Sequence, residues 1–132
     1  MSRWKQAGSG LFLAKAASVI FLNCIRDAMM MNEAVGLLEV FGLAAAFAAG
    51  DAACKAANVR IEAFDRNKPA NADKLAVPLV IMVKLRGPVS DVEMAMEAGA
   101  AAAEAVSGVV AKHIIARPAE DTEKMLQINA IG

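Results

Sequence analysis

The chain has 132 residues, of which 58% are hydrophobic and 21% charged, and its 14 basic and 14 acidic side chains cancel to zero. That length fits one domain of ordinary size and is short for two, and so hydrophobic a chain is not disordered. A basic nucleic-acid binder carries a large positive excess; here there is none, and with no Tyr, one Trp and one His, base-stacking platforms and His-rich metal sites have little to build on.

The charge divides unevenly. Residues 1–31 carry Arg3, Lys5, Lys15 and Arg26 against Asp27, a net of +3, whereas residues 32–132 carry 10 basic and 13 acidic side chains, a net of −3. The first piece starts basic, passes Gly8-Ser9-Gly10 and enters an apolar run from Leu11 to Leu22 broken by Lys15. A secretory signal has this outline. Lys15 inside the run and the lack of a small-x-small cleavage site after Leu22 argue against it, and the run is too short to span a bilayer. Two readings stay open: a native start at Met31 with an upstream tail from start-site choice, or a functional extension. If ordered, the piece is expected to be helical over 11–28.

From Asn32 the pattern is regular. Ala34–Val40 reads as a strand. Leu43–Ala57 reads as a helix with Leu43, Phe47, Gly50, Cys54 and Ala57 on one apolar face, and Asp51 and Lys55 form an i,i+4 pair worth roughly a few tenths of a kcal/mol. Val59–Phe64 and Leu79–Arg86 read as strands. Gly87-Pro88 breaks the chain, and Ser90-x-x-Glu93 has the form of a capping box opening the next helix. That helix runs to about Val106, with Val92, Met96, Gly99, Ala103 and Val106 expected on its buried face and Gly108 at its end. Val109–Ile115 is the last strand, stopped by Pro118, and Asp121–Leu126 can close the chain as a short helix. The fold class is α+β. The order β-α-β-β-α-β is the ferredoxin-like split pattern and predicts a four-stranded antiparallel sheet with both main helices on one face. Alanine supplies 30 of the 132 residues, which suits close packing of helices against a sheet or a neighbouring subunit.

Between the second and third strands the chain reads Asp65-Arg-Asn-Lys-Pro-Ala-Asn-Ala-Asp-Lys-Leu-Ala-Val-Pro78. It is polar, holds two prolines and is long for a hairpin connection, and such loops are usually functional or disordered.

Residues for chemistry are scarce. Glu39, Asp51, Glu62 and Asp65 make no convergent pair and read as surface carboxylates. His113 is a lone strand histidine. Cys24 and Cys54 lie 30 positions apart with no CxxC, so they read as reduced thiols rather than a disulfide framework or zinc site, Cys54 on the apolar face of its helix. Met94, Met96 and Met125 read as core or interface filler. There is no GxGxxG and no P-loop. The residues point to no catalytic group, no metal site and no cofactor.

An ordered set of short motifs does carry information. Gly36-Leu-Leu-Glu39, Gly42-Leu43 and Gly50-Asp-Ala-Ala-Cys-Lys-Ala-Ala-Asn-Val59 are followed by Val83-Lys-Leu-Arg-Gly87, Ala98-Gly-Ala-Ala-Ala102 and His113-Ile-Ile-Ala-Arg-Pro118. Together, over about residues 33–118, they resemble the bacterial microcompartment shell proteins, in the order of the single-domain, unpermuted type that forms hexamers. Residues 32–132 would be the shell domain and 1–31 an N-terminal extension, helix or tail.

The resemblance implies a non-enzymatic structural role. Family members form flat cyclic hexamers that tile edge to edge, with other shell proteins, around the enzymes of a pathway in the bacterial cytoplasm. A helix lysine and an arginine after the last strand usually line the hexamer edges; here those positions are Lys55 and Arg117. The loop between strands two and three usually lines a central metabolite pore, which assigns Arg66, Asn67, Lys68, Pro69, Ala70, Asn71, Ala72, Asp73 and Lys74 to the pore. It implies no cofactor, no nucleic acid and no membrane partner, with encapsulated enzymes as candidate contacts. This chain departs from the family in that loop, which is longer and lacks the usual Gly-rich turn: no glycine occurs between Gly50 and Gly87. The alternative is a ligand-binding regulatory module of ferredoxin-like fold with residues 65–78 as its sensing loop.

Overall fold

The computed structural model describes residues 15–25 and 33–129. The chain divides between Asn32 and Glu33 into two units, taken here separately. In the first, residues 15–25 form a helix (α1) whose Val19, Ile20, Phe21, Leu22 and Ile25 are exposed; the rest of the helix expected over 11–28 lies outside the described residues.

The second unit runs β1 (Ala34–Phe41), α2 (Leu43–Ala56), β2 (Arg60–Asn67), a 3-10 turn (Ala72–Lys74), β3 (Val80–Gly87), α3 (Val89–Val106), β4 (Val109–Ile115) and α4 (Glu120–Leu126). The four strands form one sheet in the order β2-β3-β1-β4, and every neighbouring pair is antiparallel. This is the expected ferredoxin-like arrangement. It leaves β2 and β4 as its two edges.

Alternation along the strands decides which side is core. Ala34, Leu38 and Val40 of β1 and Ile81, Val83 and Leu85 of β3 are buried in one cluster with α2 and α3. The helices meet the sheet through small side chains. α2 buries Ala45, Ala46, Ala49, Gly50 and Ala53, and α3 buries Val92, Ala95, Met96, Gly99 and Ala103. A Cβ on Gly99 would stand 3.0 Å from the carbonyl oxygen of Ala49 and 3.3 Å from Leu38 Cδ2, so the backbones of α2 and α3 approach closely because residue 99 has no side chain.

This packing corrects the expected face of α2. Leu43 and Phe47 are exposed, Phe47 at 59%, and Cys54 is exposed as well. The buried stripe is rotated from the expected one by roughly a quarter turn. Close helix pairing selects alanine, and the larger residues move to the flank, where the Phe47 ring lies 5.3 Å from that of Phe64 on β2. Similarly, Val106, the last residue of α3, is 53% exposed. Ser90-x-x-Glu93 is not a capping box. The helix starts at Val89 with Pro88 as its N-cap and no side-chain cap bond, the fixed proline φ being suited to a helix start. Gly108 ends α3 as expected, at φ +132°, with its N–H donating to Ala103 O at 3.0 Å.

Candidate functional site

The candidate pore residues begin inside the sheet. β2 runs three residues past Phe64, and Arg66 and Asn67 lie in register opposite Ile81 and Val80. Lys68, Ala70 and Asn71 then turn outward, exposed, while Pro69 is half-buried. The 3-10 turn follows, tied by Ala72 N–H to Pro69 O at 3.1 Å, Lys74 N–H to Asn71 O at 2.9 Å and Leu75 N–H to Ala72 O at 3.2 Å. Ala72 is only 4% exposed, so the loop folds back on itself rather than standing free in solvent. Between the end of β2, the turn and the start of β3 lies a cavity of about 580 Å³, lined by Arg66, Asn67, Lys68, Ala72, Asp73, Pro78 and Leu79. Arg66, Lys68, Asp73 and Lys74 are all exposed, and among the described residues none of them takes part in an ion pair.

The two candidate edge residues lie on different elements. Lys55, in the last turn of α2, donates to Asp51 Oδ2 at 2.6 Å, and both side chains are largely exposed. Arg117 sits exposed in the bend between β4 and the buried Pro118, with no ion pair among the described residues. Among the described residues nothing joins Lys55 to Arg117. His113 is exposed on the edge strand β4, beside Lys112, whose ammonium is committed to Glu97 at 2.6 Å.

Sequence reasoning missed a buried ion cluster on the sheet face away from α2 and α3. Lys84 and Arg86 alternate with the core residues of β3 and are 3% and 2% exposed. Lys84 pairs with Asp65 and donates to the carbonyls of Leu126 at 3.1 Å and Ile128 at 2.7 Å. Arg86 NH2 donates to both carboxylate oxygens of Glu123 at 2.7 and 2.9 Å, and its Nε lies 3.4 Å from Glu62. The cluster therefore fastens α4 and the chain after it across this face. Glu62 and Asp65 are not the free surface carboxylates expected. They stand three apart, and a strict alternation would place them on opposite faces, but β2 slips register between Ile61 and Ala63 and the bulge lets both reach β3. The shared parity of Lys84 and Arg86 in Val80-Ile-Met-Val-Lys-Leu-Arg-Gly87 was the available signal.

Both sides of the domain keep apolar surface. Leu43, Phe47 and Ile61 are exposed on the α2–β2 side, Val106 and Val110 on the α3–β4 side. No described helix is long and apolar enough to cross a membrane.

Residues 34–118 match the BMC domain family. The chain is similar to the bacterial microcompartment shell protein PduA of Citrobacter freundii, 42% identical over 97 residues that cover 74% of this chain and 95% of PduA. It is also similar to the carboxysome shell protein CcmK3 of Halothece sp. (strain PCC 7418), 40% identical over 100 residues, 74% of this chain and 89% of CcmK3. Among solved structures it resembles a microcompartment protein from Desulfitobacterium hafniense DCB, with a TM-score of 0.51 and 26% identity over 67% of this chain; the match spans 43% of that longer chain. With a sheet of this topology, these matches place the chain in the bacterial microcompartment shell protein family, as a structural shell protein of the single-domain type.

Proposed function

We propose that the chain forms cyclic homohexamers that tile with other shell proteins into the facets of a microcompartment in the bacterial cytoplasm, as a structural unit and not an enzyme, with the β2–β3 loops around a central pore for small metabolites. The supporting observation is the pair of unlike flanks. A cyclic ring repeats one heterologous contact, in which two different surfaces of the same chain meet. The open β2 edge with Leu43, Phe47 and Ile61 and the open β4 edge with Val106 and Val110 provide two such surfaces. Encapsulated enzymes are further contacts of the finished shell, and residues 1–31 are an extension separate from the shell domain 32–132.

Lys55 and Arg117 are assigned to the outer edges of the ring. A lysine stem lies along a symmetric edge and donates to carbonyls across it, and arginine offers a planar fork of donors. The pore is assigned to Arg66–Lys74. That segment carries three positive charges and one negative, so six copies bring +12 to the axis. Low-dielectric walls focus such a field and concentrate anions.

The pore is tested by replacing Lys68 and Lys74 with Glu in the same chain, which takes each loop from +2 to −2. Single-channel recordings across a lipid bilayer should show anion preference in the parent and cation preference in the variant. Unchanged selectivity in a correctly formed ring would remove these lysines from the pore.

A further inference from the structure

The shell domain has 10 basic side chains. Lys55, Arg60, Lys84, Arg86, Lys112 and Lys124 are all paired with carboxylates. Arg66, Lys68, Lys74 and Arg117 are not, among the described residues. Two of these four, Arg66 and Lys68, line one cavity together with Asp73, which is likewise unpaired. The three charged side chains border one space of about 580 Å³ with no ion pair among them, and that volume is well within the range of small-molecule sites, roughly 300–1,000 Å³. Two further hollows among the described residues differ in kind. In the one between α3 and β4, lined by Met96, Glu97, Lys112, His113 and Ile114, the lysine is already bound to the glutamate. The one lined by Phe41, Leu75, Ala76, Val77 and Ser107 has no charged side chain.

We infer that the cavity under the β2–β3 loop is a binding site, one per protomer, for a small carboxylate that also carries a hydrogen-bond donor, an ammonium or a hydroxyl group. The guanidinium of Arg66 supplies a fork matched to a carboxylate and Lys68 a second cation, and charge-assisted bonds of this kind are the strong ones. Asp73 accepts from the donor end, and the Asn67 amide can serve either end. Ala72, Pro78 and Leu79 give the site an apolar portion that fits a short carbon skeleton. A solute with two carboxylates and no donor satisfies the cations and leaves Asp73 facing like charge. The site thus discriminates by the donor rather than by negative charge alone. This deepens the pore reading by naming the class of solute that the loop holds, and it rests on that reading for its role in passage. Binding to the protomer is measured without the channel.

The experiment is isothermal titration of the full chain with L-serine, L-lactate and succinate as probes. Serine, lactate or both should bind, and bind more tightly than succinate. Preference for serine assigns the donor as ammonium, preference for lactate as hydroxyl, and either supports the site. Arg66→Gln and Lys68→Gln should each weaken the preferred probe by about tenfold, equivalent to about 1.4 kcal/mol, with the circular dichroism spectrum unchanged. Asp73→Asn should weaken the preferred probe but not succinate, and Lys124→Gln, an exposed lysine of α4 that does not line the cavity, should change neither. No binding of serine or lactate, succinate binding as tightly as both, or equal losses at Lys124 and Lys68 would overturn the site. Intact titrations with unchanged channel selectivity would sink the pore reading alone; failed titrations with selectivity reversed by the glutamate variant would sink this site alone.

Discussion

Arg86→Met removes the charge from the ion cluster under α4 while keeping a side chain of comparable length. In the parent, Arg86 is 2% exposed, its NH2 reaches both oxygens of Glu123 at 2.7 and 2.9 Å, and its Nε lies 3.4 Å from Glu62. Breaking a buried ion pair from one side costs about 3–5 kcal/mol, chiefly because the remaining charge loses its partner. The Glu62 and Glu123 side chains keep 24% and 21% of their exposure, so water recovers part of that loss and the lower end applies, about 3 kcal/mol. The assay is urea denaturation at one fixed protomer concentration, because association contributes to apparent stability. α4 should also become sensitive to proteolysis, since Glu123 is its charged anchor to β3. Adding Glu62→Gln and Glu123→Gln to Arg86→Met should restore most of the lost stability, as no uncompensated charge remains. A single variant within about 0.5 kcal/mol of the parent, the range of ordinary surface changes, would refute the clamp.

Two further substitutions probe packing and edges. Gly99→Val places a branched side chain where a Cβ alone comes within 3.0 Å of the Ala49 carbonyl, and should destabilise by about 1–3 kcal/mol although valine is the better helix former; a raised urea midpoint would contradict the close α2–α3 contact. Lys55→Asp removes an exposed lysine whose local pair with Asp51 is worth at most about 0.5 kcal/mol, so the ring should persist while two-dimensional sheets disappear under the electron microscope. Persistent sheets would take Lys55 off the edge.

What was legible in the sequence depended on punctuation and on residue size. β4 was read at its observed bounds, Val109–Ile115, because Gly108 and Pro118 bracket a run of β-branched residues. β1, Ala34–Phe41, was legible to within one residue as a short apolar run ending before Gly42. The end of β2 was not legible: Arg66 and Asn67 are polar and look like loop, yet their backbones complete the ladder to Ile81 and Val80. The face of α2 was misread because periodicity weighs large apolar residues, and Leu43 and Phe47 outweighed four alanines. In a close helix pair those alanines are the core. The ion cluster was hidden because charged residues on a strand read as a solvated face, whereas α4 and the chain beyond it cover that face. For the loop, its length and charge were plain in the sequence, but the cavity depends on the turn at Ala72–Lys74 folding back over the strand ends. That turn has no glycine to announce it.

The central claim is the ring, and native mass spectrometry of the full chain tests it most directly. A cyclic hexamer predicts one dominant species at six times the 13.8 kDa protomer, stable at micromolar concentration. A monomer or dimer as the dominant species at that concentration would contradict the ring, and with it the assignment of the β2–β3 loop to a six-fold pore.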